Sequence, residues 1–160
     1  QTNIKDWNEA YKNNLMSVVN FIKYVIPSMK KNKWGRILTI SSTVAKEPPP
    51  SMVLSASMRA GVIALNKAVS IDLAKFNINC NVLCLGGVLT DRLISLIKLG
   101  AKKKRINLKK EIKNIENIIP AKRIASIQEI ANTAAFLLSD ENTYITGQSI
   151  SIDGGLSKSI

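Results

Sequence analysis

The sequence predicts an α/β fold built on a largely parallel sheet, and three observations carry the prediction. Short apolar runs at 36–41, 79–85 and 148–153 alternate with longer segments whose apolar residues recur every three or four positions. The first two runs are separated by a helix-length segment, which makes a right-handed strand–helix–strand crossover with the two strands parallel. Turn residues punctuate the runs, at Asn32 to Gly35, Gly86-Gly87 and Gly154-Gly155. A chain of 160 residues suits one domain with its own core, and no internal repeat or linker divides it.

The first helix is expected to open on Asp6 and Glu9, read as a capping box. Trp7, Tyr11, Leu15, Val18, Ile22, Val25 and Met29 then mark one amphipathic helix to about Lys31, kinked in its last turn by Pro27. Asn14 lies mid-helix, where asparagine is a poor helix former. Helical position alone fits a solvated side chain as well as a functional one. The strand Arg36 to Ser41 follows, delivering Ser41 and Ser42 at its carboxyl end, where open parallel sheets bind ligands. Pro48, Pro49 and Pro50 forbid helix and hold an extended loop.

The helix from about Met52 to Lys75 is apolar around much of its circumference, so it is expected to be covered on two sides. One cover is its own sheet and the other a second subunit, approached through the small Ala60, Gly61 and Ala64. Asn79 to Leu85 is the second strand, and Thr90-Asp91 caps a helix from Arg92. Residues 100–125 are basic and segmented. Ser126 and Glu129 form a capping box for a helix to about Leu138, and Gln148 to Asp153 is the last strand.

With 46% hydrophobic and 21% charged residues the chain is globular in composition, not disordered. No uninterrupted apolar run reaches the roughly eighteen residues of a membrane span, and no signal peptide opens the sequence. A membrane partner is therefore not expected, and a cytoplasmic location is. Cys80 and Cys84 share one strand; at about 3.3 Å per residue they stand about 13 Å apart, too far to bridge. They read as small buried hydrophobes of a reducing compartment. The absence of histidine removes Ser-His-Asp and Cys-His catalysis and every histidine-based metal site, so no metal is expected.

The net charge of +12 fits either an anionic partner or a lysine-rich surface. Lys102, Lys103, Lys104, Arg105, Lys109, Lys110 and Lys113 concentrate it. That segment reads as attraction for an acidic carrier protein or a phosphorylated thioester, or as a solvated loop. Aromatic residues are only 5% and none interleave the cluster, so nucleic acid is not the expected partner.

The residues that point to chemistry are Asn14, Ser42, Ser55 and Arg59. Ser55 and Arg59 are one helical turn apart and share a face, so a hydroxyl and a cation can address one spot. A strand-end serine can hydrogen-bond a substrate oxygen. Spacing alone also fits ordinary surface residues.

Four ordered stretches resemble the short-chain dehydrogenase/reductase family. NLMSVVNFIKYVIPSMKK is similar to the helix bearing its asparagine, and GRILTISS to the strand ending in its catalytic serine. SASMRAGVIALNKAVSIDLAKFNINCNVLCLGG resembles the active-site helix and next strand. AKRIASIQEIANTAAFLLSDENTYITGQSISIDGG resembles the C-terminal signature, especially of 3-oxoacyl-carrier-protein reductase-like members. The resemblance implies that residues 1–160 are a single partial domain, the C-terminal part of a doubly wound, Rossmann-like sheet. It places Asn14 and Ser42 in the family's catalytic tetrad. The Tyr-x-x-x-Lys pair falls on Ser55 and Arg59, which is a real departure.

The resemblance further implies NAD or NADP as cofactor, with Arg59 at the ribose and Gly86, Val88 and Thr90 along the nicotinamide and pyrophosphate. The basic segment falls where the family caps its substrate. The family's glycine-rich loop has no counterpart among the eight glycines, so the adenosine half of the site is missing and a fragment of a longer protein is expected. The function implied is an NAD(P)-dependent oxidoreductase acting on a carbonyl, alcohol or acyl thioester, as a homodimer or homotetramer through helix 52–75. The alternative is a non-catalytic member acting as a binding or scaffolding protein. A charge-driven binder of anionic polymers is the third reading.

Overall fold

The computed structural model describes residues 2–159. Three parallel strands form its sheet in the order β1 (Gly35–Ser42), β2 (Ile78–Leu85) and β3 (Ser149–Ile152). The β1–β2 register runs unbroken from Gly35 opposite Ile78 to Ser42 opposite Leu85, and β2 pairs β3 from Val82 opposite Ser149. Among the described residues β1 pairs only with β2, so its other edge is open.

Alternation along β1 sorts the core into two layers. Ile37 packs with Ile22, Leu73, Ile78 and Cys80 on one face, whereas Leu38 packs with Leu83, Ile130 and Leu137 on the other. The first layer is covered by α2 (Ser17–Asn32) and α3 (Val53–Leu73), the second by α6 (Ile127–Leu138). Between β2 and α6 lie α4 (Asp91–Lys104), capped by Thr90, and α5 (Leu108–Ile118), capped by Asn107. β2 is buried from Ile78 to Cys84, as a strand covered on both faces must be.

The N-terminal helical stretch differs from the single kinked helix expected. Its first segment, α1 (Ile4–Ala10), is capped by Asn3, and Asp6 is the return partner of that box, so the helix starts two residues earlier than the Asp6–Glu9 reading has it. A π-helical turn, Tyr11–Met16, joins α1 to α2. Pro27 lies inside α2, which continues to Asn32. The irregular turn therefore sits around Asn14.

Other boundaries move by one or two residues because short 3₁₀ turns, Pro50–Met52 and Ala74–Phe76, take the ends of the expected 52–75 helix. The tri-proline loop thus ends inside a turn rather than extended throughout. Ser126 and Glu129 form the expected capping box. Over Pro50–Phe76 the mean hydropathy reaches 1.2, long and apolar enough by composition to cross a membrane. The expectation of no such stretch fails because Arg59 and Lys67 interrupt the run without lowering the average enough. In the fold this helix packs on β2, and its buried polar side chains face protein: Asn66 Nδ2 donates to the Cys80 carbonyl at 3.1 Å.

Coverage of α3 is also asymmetric. Gly61 faces the chain's own Leu15, 3.5 Å from where a Cβ would stand, so its small size serves an internal contact rather than a second subunit. Ala60, Ala64 and Ile71 are exposed, the last by 70%. Both cysteines are free and buried, and burial pushes the Cys80 thiol up to about 11.

Two tests follow from the packing. A Cβ on Gly86 would stand 2.7 Å from Asp153 Cβ and 2.9 Å from its Cα, so Gly86→Ala forces backbone apart. We expect a loss of about 1–3 kcal/mol in urea unfolding, as for other overpacked sites. Glu129 carries a carboxyl held down to about 2 by the Arg123 guanidinium at 2.6 and 2.8 Å and by Ser126. Its contribution is full above the unfolded glutamate pKa of about 4.3 and is lost as pH falls toward the folded value. Arg123→Met should flatten the fall in thermal midpoint between about pH 4.5 and 2.

Candidate active site

Each expected site residue has a definite place. Asn14 is half-buried in the π turn, where its Nδ2 donates to the Ala10 carbonyl at 3.2 Å. Such turns re-aim helix side chains and recur at functional positions. Ser55 and Arg59 occupy the first two turns of α3, and Arg59 Nη1 donates to Ser55 Oγ at 2.5 Å. The hydroxyl and the guanidinium are thus one bonded unit.

Asn14 and Arg59 line a common cavity of about 240 Å³ between the π turn, the end of β1 and α3. The strand wall is Thr39, Ile40 and Ser41, and Ser42 is not part of it. Alternation explains this: Ser41 shares the face of Ile37 and Thr39, toward α3, and Ser42 points the other way. Ser42 instead caps a 3₁₀ turn (Thr43–Ala45), its Oγ accepting from the Val44 N–H at 3.4 Å. Asn14 and the Ser55–Arg59 unit are brought together, and Ser42 stands outside their cavity.

The segment after β2 is built by backbone contacts. Gly86 N–H donates to the Ile152 carbonyl at 3.0 Å, and its missing Cβ admits Asp153. Val88 bridges Ala125 in parallel, which fixes its backbone in extended form. Thr90 Oγ1 accepts from the Leu93 N–H at 3.2 Å, capping α4. Gly86 and Thr90 therefore each have a structural task in the fold. The basic residues of 98–113 lie on α4 and α5; within them Lys104 meets the buried Glu111 at 2.7 Å, and this hydrogen bond holds the Glu111 carboxyl below its ordinary range.

Sequence reasoning missed Ser41 and Lys46. Ser41 was legible in principle, since the period of two puts it on the α3 face once Ile37 is assigned to the core. Nothing local marks Lys46, whose Nζ donates to the Ser149 carbonyl at 2.7 Å and to Ser151 Oγ at 3.1 Å across the sheet. It ties the loop after Ser42 to β3.

With this geometry in place, comparison with known proteins is informative. The family described as enoyl-(acyl carrier protein) reductase matches residues 1–157. The chain belongs to the short-chain dehydrogenase/reductase family. NADPH-dependent reductase BacG of Bacillus subtilis (strain 168) is 40% identical over 158 residues, covering 99% of this chain and 61% of the relative. 3-Oxoacyl-[acyl-carrier-protein] reductase FabG of Escherichia coli (strain K12) is 34% identical over 152 residues, 95% of this chain and 58% of the relative. The crystal structure of YwfH, an NADPH-dependent reductase involved in bacilysin biosynthesis, superposes with a TM-score of 0.94 at 39% identity, covering all of this chain and 61% of that one. The chain therefore spans about three fifths of the length of these relatives. The parallel sheet flanked by helices is the Rossmann-like architecture of its structural neighbours.

The Lys46 tether gives a direct test. Lys46→Met removes two hydrogen bonds from a charged donor, each worth about 1.5–3 kcal/mol at most. We expect faster amide exchange confined to residues 43–47 and a lower denaturation midpoint, with the β1–β2 amides still protected.

Proposed function

We propose that this chain carries the nicotinamide-side half of an NAD(P)-dependent reductase acting on a carbonyl or alcohol group, with a 3-oxoacyl thioester as the leading substrate class. The observation that carries the reading is the Ser55–Arg59 unit, bonded at 2.5 Å and sharing a cavity with Asn14, in a chain that matches a reductase dependent on NADPH along 99% of its length. The residues present fit the nicotinamide end of the cofactor by their donor chemistry. Arg59 offers a planar fork of N–H donors suited to vicinal ribose hydroxyls, and no acidic side chain lines its cavity to compete. The extended backbone at Val88 suits the nicotinamide amide, and Thr90 at the start of α4 suits the pyrophosphate. The adenosine half finds no glycine-rich loop in this sequence. Bound NAD(P)H supplies the hydride.

The chain's own residues then divide the remaining work. Ser42, at the carboxyl end of β1, orients the substrate oxygen. Arg59 holds the ribose and, being permanently cationic, lowers the cost of negative charge developing nearby without giving up a proton. Ser55 stands where the family has a phenol. Its hydroxyl is a far weaker acid, so proton delivery falls to a water held by Asn14, Ser55 and Arg59. A missing positioned acid typically costs 10²–10⁴ in rate, about 3–5 kcal/mol.

The fused Ser55–Arg59 pair also favours a second reading, a non-catalytic family member that binds cofactor or substrate without turnover. In either reading we place the protein in the cytoplasm, because both thiols are buried and unpaired. We further assign the bare face of α3, with Ala60, Ala64 and Ile71, to a homodimer or homotetramer contact.

Titration with NADPH and NADH, followed by turnover on ketones and 3-oxoacyl thioesters, decides between these readings. Hydride transfer supports the reductase, and cofactor affinity without turnover supports the binder. For the reductase, Ser55→Tyr should retain turnover and raise kcat, with the acid restored. A variant that binds cofactor normally and is dead would refute the water relay.

A further inference from the structure

The cavity at Arg59 holds one polar atom that the reductase reading does not use. Ser41 is 6% exposed, and its Oγ has no hydrogen-bond partner among the described residues. A buried hydroxyl without a partner costs about 1–3 kcal/mol, so an orphan facing a cavity marks a place where something else supplies the bond. Around it the cavity presents Thr39, Asn13, Asn14, Ser17 and Arg59. Two of these have spent a donor already: Asn14 on Ala10 and Ser17 on the Asn13 carbonyl at 2.7 Å. Arg59 has spent one N–H on Ser55 and brings a full positive charge that no lining carboxylate balances. The cavity is thus rich in unspent donors, cationic and free of acid.

We propose that this cavity is a binding site for a small oxyanion, a carboxylate or phosphate group, held by the free edge of Arg59 and by the Ser41 and Thr39 hydroxyls. Charge selects an anion over a neutral ligand, because hydrogen bonds from a guanidinium to an oxyanion are roughly twice as strong as neutral ones. Size agrees: about 240 Å³, against about 30 Å³ for each water in the liquid, admits an anion of four or five heavy atoms with its waters. The site does not depend on the reductase reading, because its occupancy is measured with no cofactor present.

The test is thermal unfolding and calorimetric titration of the full chain with sodium phosphate and, separately, sodium acetate, against sodium chloride at matched ionic strength. Saturable binding of either oxyanion is expected; preference for phosphate identifies a phosphoryl ligand, and preference for acetate a carboxylate. Ser41→Ala should weaken that binding about tenfold while leaving the melting midpoint in chloride no lower, since the wild-type hydroxyl is unpaired there. Thr39→Val serves as the second variant should Ser41→Ala fail to fold. Arg59→Gln should abolish the effect. No saturable response beyond chloride, or a response that survives both Ser41→Ala and Arg59→Gln, overturns the proposal and leaves the cavity to water.

Discussion

Burial of β2 on both faces is the constraint from which the rest follows. A strand so enclosed must satisfy each backbone and side-chain polar group inside the protein, since water cannot reach it. Its two asparagines do this by reaching into the chain before β3: Asn79 Nδ2 donates to the Asn142 carbonyl and Asn81 Nδ2 to the Ile145 carbonyl, each at 2.7 Å. Asn81 Oδ1 in turn accepts from the Gln148 N–H at 3.1 Å. On the opposite side Asn66 reaches from α3 to the Cys80 carbonyl. Helix α3 and strand β3 are therefore positioned by amides of the middle strand and its neighbours, and with α3 comes the Ser55–Arg59 unit.

The π turn adds a second fixed point. It packs Leu15 onto Gly61, so the helix bearing Asn14 and the helix bearing Arg59 are held at close range by one small residue. The polar cavity lies beside that contact. Rigid elements on all its walls mean that its donors are set in advance of any ligand, which is the condition under which charge and hydrogen bonding act most strongly.

The fold was legible in the sequence wherever a periodic pattern ran long enough. The apolar runs of β1 and β2, the α3 repeat and the Ser126–Glu129 box needed no tertiary information. The start of the first helix was misread because Asn3 and Asp6 also satisfy a capping box and lie three residues upstream of the pair chosen. The π turn left no local mark beyond an asparagine poorly suited to helix. Within the site, the Ser55–Arg59 bond was readable from helical spacing, but the separation of Ser42 from that pair required the pleat: neighbouring serines on a strand face opposite ways. Lys46 and the amides of Asn79 and Asn81 act across more than sixty residues of sequence, beyond the reach of any window.

The open side of β1 carries one more consequence. Eight residues of extended backbone, with Ile40 turned outward and 55% exposed, offer an uncapped ladder to any other chain in extended form. Neither a proline nor an inward charge blunts this rim. Whatever occupies it in the cell acts as a guard against templated stacking of one copy on the next, so colloidal behaviour and catalysis are governed by the same margin of the sheet.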